Sequence, residues 1–434
     1  MNSFPRLSPV RVLPLGDGYA STSVNTVIFR HHGLVTWGDY QFAAFYVSST
    51  EMRVVRRSLR DETTQLGTIT GSFHPADAHN CISLGLDSAG FIHIAYDHHA
   101  EPLKYRRSRN PLDVKEWTDP LPMTGRFEDR VTYPQFLMPP RSLGNTRPPM
   151  RLLFLYRHGG SGDGDICLKE YCPDSQTWVD MAERFVKGTD QKPWTANAYW
   201  NHPAFDSHGD LILSWIWCAA DNASAMGDFA FYHNHGFARS PDGRRWFTSR
   251  GIELSLPMTP VNSEVILATT PGATLANMCS TAVDSRDRLH IAKYASETPG
   301  GVPQYQHIWF DGFAWRCRAL TERKRPFDRP TWGPPMSRPE ILLDPRDAVC
   351  VIYRCDDTGD RLVVQRLDAP DYAAPGTTFE LWPDDVGHSE PIVDRLRWSR
   401  DGVLSILVQR TTQPAAVADR ELPPEAVRIV DWRF

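Results

Sequence analysis

The sequence lacks the two features that would direct a chain to a bilayer or to nucleic acid. It has no apolar run close to the roughly 20 residues that a membrane-spanning helix needs. Its 47 basic and 52 acidic residues give a formal net charge of −5, and they form no long run of like charge. Nucleic-acid and anionic-membrane surfaces are usually marked by a basic cluster. We therefore expect neither nucleic acid nor a membrane as a partner.

Cysteine is also scarce, with 8 residues in a chain of 434, which is far below the density of a disulfide framework. Two pairs stand close together, in CLKEYC (Cys167, Cys172) and CVIYRC (Cys350, Cys355). Both segments have the composition of strands, where a separation of five places the two side chains on opposite faces. This pattern predicts free thiols rather than metal ligands.

The first residues carry prolines where a secretory signal would have its apolar stretch, at Pro5, Pro9 and Pro14. On this reading we expect a cytoplasmic protein. A long-helix architecture is also disfavoured, because no sustained apolar period of 3.6 residues occurs and 29 glycines and 35 prolines interrupt the chain.

The sequence has instead a repeated pattern of strand, polar turn and strand. The pattern occurs in DSAGFIHIAY from Asp87, DSHGDLILSW from Asp206, DSRDRLHIAK from Asp284 and DPRDAVCVIY from Asp344, with a weaker copy in SRDGVLSILV from Ser399. Each copy has an Asp/Ser/Gly-type turn followed by alternating aliphatic residues, the signature of a β-hairpin.

A tryptophan follows a polar turn later in each repeat, at Trp117, Trp178, Trp246, Trp315 and Trp382, with spacings of 61, 68, 69 and 67. The segment SPDGRRW, from Ser240 to Trp246, is a shortened form of the Asp-box turn seen in sialidase-type propellers. A period of this length with four short strands predicts a radial array of antiparallel sheets. We therefore predict an all-β chain whose residues 1–434 form a single domain, a seven-bladed β-propeller of four-stranded antiparallel blades.

Histidines flank the first of these hairpins, His79 just before one strand and His99 just after the next. Because a hairpin brings its outer ends together, both imidazoles should lie at one rim. The following repeats place further polar residues at equivalent positions: Tyr133, Arg157, Asn201, His202 and Arg338. Each alone has an ordinary structural interpretation, such as a rim histidine bonded to a loop carbonyl, but their convergence indicates a site. The segment GGSGDGD after Arg157 lacks the pattern of a phosphate loop or an EF-hand, so we interpret it as a mobile loop that carries Arg157.

This residue set favours proton transfer beside a bound carboxylate. Arginine is the natural bidentate partner of a carboxylate, and histidine and tyrosine transfer protons. No pair of acidic residues of the kind used by hydrolytic glycosidases accompanies them. The combination suits β-elimination on a uronic acid, in which the arginine makes the proton next to the carboxylate removable. We expect no metal or other cofactor, because the arginine can neutralise the carboxylate.

The chain resembles the seven-bladed propellers with bacterial-neuraminidase-like repeats that include ulvan lyases and L-rhamnose-α-1,4-D-glucuronate lyases. The resemblance is carried by VNTVIF, DAHNCISLGLDSAGFIHIAYDHHAEPLKY, RVTYPQF, YRHGGSGDGD, YWNHPAFDSHG and SRPEILLD. It implies that His79, His99, Tyr133 and Arg157 are the catalytic residues, and we expect Asn201, His202 and Arg338 to bind substrate. It also implies a carbohydrate substrate, from which L-rhamnose is released by β-elimination to leave a 4,5-unsaturated glucuronate. A rhamnose-capped glycan of the arabinogalactan type would supply that linkage.

Two alternatives remain open from the sequence. Similar propellers hydrolyse the same linkage as α-L-rhamnosidases, with one histidine of the first blade on the opposite face; here that region reads FRHHGLVTWGDYQF, with His31, His32 and Trp37. The tryptophan at the expected place of that histidine favours the lyase. The third class is a propeller that binds a uronate without turnover, which would have little need of the histidines and the tyrosine.

Overall fold

The structure is a computed structural model. It describes residues 4–139, 151–160, 162–188, 197–219, 231–270, 272–327, 335–412 and 421–434. Within them lie 31 β-strands, one α-helix, α1 (Arg395–Asp401), and two single 3-10 turns (Ala78–Asn80, Asp356–Thr358). The prediction of an all-β chain is confirmed. None of the helices in these ranges is long and apolar enough to cross a membrane.

The strands pair into six sheets, and nearly all of the pairing is antiparallel. The first strand, β1 (Arg11–Gly18), pairs with the last strand of the chain and is described with that sheet below. The next four strands form a four-stranded sheet: β2 (Leu34–Trp37), β3 (Tyr40–Tyr46), β4 (Glu51–Ser58) and β5 (Thr64–Thr70). A three-stranded sheet follows, in the order β6 (Ser83–Leu86), β7 (Ile92–Ala95), β9 (Tyr105–Arg107), while β8 (His99–Glu101) leaves it to pair with the next sheet.

The largest sheet has twelve strands and is made of two antiparallel groups. The first group contains β8, which pairs with β10 (Val131–Leu137), together with β11 (Leu153–Gly160), β12 (Asp163–Cys172) and β13 (Thr177–Val186). The second group contains β14 (Asn197–Trp200), β15 (Ala204–Phe205), β16 (Leu211–Ala219), β17 (Phe231–Ser240), β18 (Trp246–Phe247), β19 (Glu253–Leu254) and β20 (Glu264–Leu267). The two groups are joined by one parallel pairing, Gly164 with Asn197. The sequence predicted a separate sheet for each repeat, and this single pairing is why the two groups count as one sheet.

The remaining three sheets have four strands each. One contains β21 (Ser280–Val283), β22 (Leu289–Ala295), β23 (Gln304–Phe310) and β24 (Trp315–Ala319). The next contains β25 (Glu340–Leu343), β26 (Val349–Tyr353), β27 (Val363–Leu367) and β28 (Thr377–Glu380). The last contains β29 (Ile392–Val393), β30 (Leu404–Val408) and β31 (Glu425–Trp432), and β1 completes it by pairing with β31.

The repeated aspartate explains the turn that the sequence shows four times. Asp87 Oδ1 accepts hydrogen bonds from the backbone N–H groups of Ala89 and Phe91, at 2.9 and 3.0 Å. The other three aspartates accept the same pair of bonds, two and four residues further on. Three residues after each aspartate the backbone has a positive φ, which glycine adopts freely and aspartate tolerates. These positions are Gly90, Gly209, Asp287 and Asp347, with φ of 86°, 79°, 60° and 62°.

The same turns tie neighbouring sheets together. The backbone N–H and hydroxyl of Ser207 donate to the carboxylate of Asp287, at 2.7 and 2.8 Å. Those of Ser285 donate in the same way to Asp347, at 2.8 and 2.6 Å. The turn residues therefore define both the hairpin and the contact with the next sheet.

Candidate active site

The site centres on one carboxylate shared by two histidines. Asp77 caps the 3-10 turn Ala78–Asn80, because its side chain accepts the backbone N–H of His79 at 2.9 Å. Its Oδ1 lies 2.5 Å from His79 Nδ1, and its Oδ2 lies 2.7 Å from Nδ1 of His99, the first residue of β8. The two imidazole rings are stacked, with centroids 4.0 Å apart. The structure thus brings His79 and His99 into contact, as the hairpin geometry predicts.

The shared carboxylate determines which nitrogen of each ring is basic. Since both Nδ1 atoms face an ionised acceptor, the network assigns a proton to each Nδ1, and in the neutral His79 ring the lone pair is then on Nε2. Burial raises the pKa of Asp77, but the hydrogen bonds from His79 and His99 outweigh burial and lower it below its usual range. Burial lowers the pKa of His79, and Asp77 opposes this only in part. His79 is therefore a neutral imidazole at pH 7, suited to accept a proton.

Tyr133 lies beside this pair on β10, at an irregularity in the strand. The pairing of β10 with β11 changes register between Thr132 and Gln135, and Tyr133 has a φ of 53°. A left-handed φ on a bulky residue costs on the order of 1–3 kcal/mol, and the chain has the same conformation at other aromatic residues, Phe127 and Tyr372. The tyrosine ring is 5.9 Å from that of His79. Burial raises the pKa of Tyr133, so its hydroxyl keeps its proton at neutral pH.

Arg157 lies on β11, with its guanidinium carbon 4.8 Å from the Tyr133 ring centroid and 5.1 Å from that of Tyr199. The residue is 0% exposed. Within the described part of the chain its guanidinium makes no ion pair and no hydrogen bond of standard geometry. Burial lowers the pKa of Arg157, but electrostatic interactions with Tyr199 and Tyr133 and a side-chain interaction with Tyr199 oppose this, and the pKa is raised overall. A buried cation without a counter-ion is costly, which favours binding of an anion here.

The interpretation of Arg157 as part of a mobile loop is wrong, because it is an interior strand residue. The glycines of GGSGDGD belong to the β11–β12 hairpin, in which Gly159 pairs with Gly164. A Cβ on Gly164 would come within 2.7 Å of Arg157 Cγ and Cδ. The missing side chain at Gly164 therefore makes room for the arginine.

The three predicted substrate-binding residues have partners inside the protein. Asn201 accepts from the backbone N–H of Cys279 and donates to Ser214 Oγ, both at 2.8 Å. His202 Nε2 donates to the carbonyl of Ile28, and its Nδ1 lies 2.9 Å from Glu340 Oε1. Asn201 and His202 are both buried. Arg338, which is partly exposed, forms a bidentate pair with Glu390, at 2.9 and 2.8 Å. A role for the three in substrate binding stays a prediction.

Several residues at the site were missed from the sequence. Asp77 stands two residues before His79, and its role as a capping aspartate was the available signal. Phe29 and Tyr199 are aromatic residues of strand-like segments, which the sequence does not distinguish from core residues. The Phe29 ring lies 4.8 Å from Tyr133 and 5.8 Å from His79.

His31 and His32, the residues of the hydrolase alternative, belong to a second cluster of histidines that includes His202. The rings of His31 and His32 are 3.9 Å apart, and His31 is 4.9 Å from His202. Glu340 bonds to His202 and pairs with Arg395 at the start of α1. Burial lowers the pKa of His31 well below its usual value and that of His32 to about 3. Trp37 ends β2.

Two groups of the described residues have the composition of metal ligands: Asp77 with His79 and His99, and Asp206 with His208 and Asp287. In the first group the donor atoms are 2.5 and 2.7 Å apart, as in hydrogen bonds. Ligands of one zinc ion at about 2.0–2.1 Å lie roughly 3.3 Å from each other. In the second, Ser207 and Arg239 already hold the carboxylates. The eight cysteines are free thiols, of which Cys317 is exposed.

Comparison with known proteins places the chain in a family. The sequence model of the BNR repeat-containing family matches residues 40–323. The crystal structure of polysaccharide lyase Uly1 is similar with a TM-score of 0.66 and 14% identity, over 98% of this chain and 99% of that one. A PL25 ulvan lyase bound to -[GlcA(1-4)Rha3S]- has a TM-score of 0.67 and 13% identity, over 96% and 95%. No curated protein sequence matches. The structural likeness shows a shared fold, and the sequence match shows that the chain belongs to the BNR repeat-containing family.

Proposed function

We propose that the protein is a polysaccharide lyase that cleaves the L-rhamnose-α-1,4-D-glucuronate linkage by β-elimination. The observation that carries the proposal is the carboxylate of Asp77, which holds two imidazoles beside a buried arginine, Arg157, for which the described residues provide no counter-ion. An anion-binding cation next to a neutral base is the arrangement that elimination on a uronate requires.

The proposed fold is a seven-bladed propeller in a single domain. Its support is the division of the twelve-stranded sheet into two groups, joined only through Gly164 and Asn197, which gives seven antiparallel units in chain order. Pairing of β1 with β31 joins the first strand to the last unit, as closure of a ring requires.

In the proposed mechanism Arg157 binds the carboxylate of the glucuronate and stabilises the charge that develops on it. His79 Nε2 takes the C5 proton, and Asp77 stabilises the resulting imidazolium. The Tyr133 hydroxyl donates a proton to the glycosidic O4 as the C4–O4 bond breaks and the C4–C5 double bond forms. In a glucuronate the C5 proton and O4 lie on the same face, so base and acid act from one side. His99 shares Asp77 with the base and orients it.

The substrate assignment is supported by the sugars in the relative described above. That ulvan lyase was bound to an oligosaccharide that contains glucuronate and 3-sulfated rhamnose. We propose for this chain a rhamnose-capped glucuronate glycan. Asn201, His202 and Arg338 remain our proposed substrate-binding residues, and Arg338 contacts Phe29 of the site.

Hydrolysis of the same linkage has weaker support. A hydrolase needs a protonated acid at the leaving oxygen. The low pKa values of His31 and His32 leave both neutral at pH 7.

One experiment distinguishes the three activities. The protein is incubated with a rhamnose-capped glucuronate oligosaccharide while ultraviolet absorbance and free rhamnose are followed. Elimination gives both signals in step, because the new double bond is conjugated with the carboxylate. Rhamnose without absorbance would establish hydrolysis and end the lyase proposal. Neither signal, with thermal stabilisation by the oligosaccharide, would identify a binding protein.

A further inference from the structure

A closed chain of contacts connects the two arginines of the site. Arg157 lies over Tyr199, whose ring is 5.3 Å from that of Tyr232. The Tyr232 hydroxyl accepts from Asn277 Nδ2 at 2.9 Å, and Asn277 Oδ1 accepts from Arg338 Nη1 at 3.0 Å. From Arg338 the contacts lead back to Arg157 through Phe29 and Tyr133. We call this set the contact ring. Its members are Arg157, Tyr199, Tyr232, Asn277, Arg338, Phe29 and Tyr133.

The contact ring has the composition of a sugar-binding site. Four aromatic side chains offer apolar faces, and the amide and the guanidinium groups offer polar atoms to hydroxyls. The guanidinium of Arg338 lies 4.9 Å over Phe29, which itself contacts His79. Phe29 therefore lies in contact with both Arg338 and the proposed base.

The two arginines differ in charge compensation. Arg157 makes no ion pair in the described part of the chain. Arg338 donates to Glu390 through its backbone N–H, Nε and Nη2, at 2.8–2.9 Å. Glu390 Oε2 also accepts the backbone N–H of Ile28 at 2.7 Å, so the carboxylate is fixed from two sides.

We infer that Glu390 makes the enzyme select an uncharged sugar next to the glucuronate, so that sulfated rhamnose is a poor substrate. The inference rests on the proposed function and adds a specificity-determining residue to it. Arg157 offers an uncompensated cation to the uronate, whereas the charge of Arg338 is already neutralised. A sulfate at Arg338 would be repelled by the carboxylate of Glu390. It also could not bind to Nε and Nη2 of the guanidinium, because both already donate to Glu390. The remaining N–H groups of Arg338 suit neutral hydroxyls.

The test compares a rhamnosyl-glucuronate disaccharide with its 3-O-sulfated form, in wild type and in Glu390→Gln. We expect wild type to favour the unsulfated form at least tenfold in kcat/KM and in Kd. Glu390→Gln exposes the charge of Arg338 and should reduce this preference at least tenfold, mainly through KM. The matched control is the double variant R338Q/E390Q, which removes both charges and should keep a preference for the unsulfated form.

The outcomes separate this inference from the proposed function. If wild type binds both disaccharides and no absorbance develops, the lyase proposal fails, while the ratio of the two Kd values still tests the role of Glu390. Tighter binding of the sulfated form by wild type would overturn the inference, and so would an unchanged preference in Glu390→Gln. A double variant that loses the preference as Glu390→Gln does would show that packing, not charge, is responsible, and would also overturn it.

Discussion

At the scale of single residues, Asp77 determines the chemical state of both histidines. One carboxylate accepts from two Nδ1 atoms, so a single side chain defines two tautomers and the orientation of two rings. An aspartate that orients a histidine in this way contributes through the base and not through contact with substrate.

We expect Asp77→Asn to lower kcat by about 10²–10⁴, because an amide can also donate and no longer specifies the Nδ1 proton. Steady-state kinetics with the rhamnose-capped oligosaccharide measures the loss. The matched control is Asp87→Asn, which removes a carboxylate from the buried His93 at the turn of the same hairpin, the end opposite the two histidines. The control should lower the melting temperature and leave kcat within a few-fold. Equal kcat losses in the two variants would argue against the role of Asp77.

The pH dependence should report the lowered pKa of His79. The base acts when unprotonated, and burial places its pKa below the ordinary value of 6.5. Activity should therefore persist as the pH falls through 6.5 and decline only below it. In Asp77→Asn the residual acidic limb should move lower, because the carboxylate that raises the pKa is gone. A kcat/KM profile that declines already above pH 6.5 would contradict this assignment of the base.

Arg157 is expected to be needed for its charge. Arg157→Ala should reduce kcat by about 10²–10³, the usual cost of losing a charged stabilising group. Arg157→Lys should retain more activity, because the charge remains while the bidentate geometry is lost. Circular dichroism checks that both variants fold. If Arg157→Ala keeps most of its activity, the carboxylate is bound elsewhere.

At the scale of elements, the sequence predicted positions better than side-chain partners. Hairpin geometry alone placed His79 beside His99, and the repeated aspartate turn marked the strands. The sequence predicts a loop around Arg157, because glycines usually indicate turns. In the structure one of these glycines, Gly164, lies on the neighbouring strand and leaves space for the arginine side chain. The pairing of Arg338 with Glu390 spans 52 positions, which no local pattern encodes.

The β11–β12 hairpin offers a test of that accommodation. Gly164→Ala would place a methyl group 2.7 Å from Arg157 Cγ and Cδ, so we expect the arginine to shift and kcat to fall at least tenfold. Gly160→Ala is the matched control in the same hairpin, because its Cβ would have no neighbour nearer than 3.7 Å. Similar kcat values for the two variants would show that Arg157 does not need the space at Gly164.

At the scale of the whole molecule, buried ion pairs link units that are distant in sequence. Glu340 at the start of β25 pairs with Arg395 of α1 and with His202, which follows β14. Burial raises the pKa of Glu340, but Arg395, His202 and Ser280 outweigh it and lower the pKa to about 2. This cluster is therefore an acid-sensitive connection between three parts of the chain.

A lowered carboxyl pKa stabilises the fold above the unfolded value of 4.5, and the stabilisation is lost as the pH falls from there towards 2. We expect about 3 kcal/mol of the free energy of unfolding to disappear over that range. Glu340→Gln should unfold more easily at pH 7 and show a shallower acid dependence, as measured by urea unfolding. A variant with the same acid dependence as wild type would mean that other carboxylates dominate.

The pairing of β1 with β31 also has a consequence for biosynthesis. Strand β1 is translated long before its partner β31, because almost all of the described strands lie between the two in sequence. Until β31 is made, β1 and β30 each lack their β31 partner, and such unpaired strand edges promote association between chains. Circular permutants that join the two ends and open the chain at another loop would make β31 and β1 neighbours in translation, and should give less aggregate during expression.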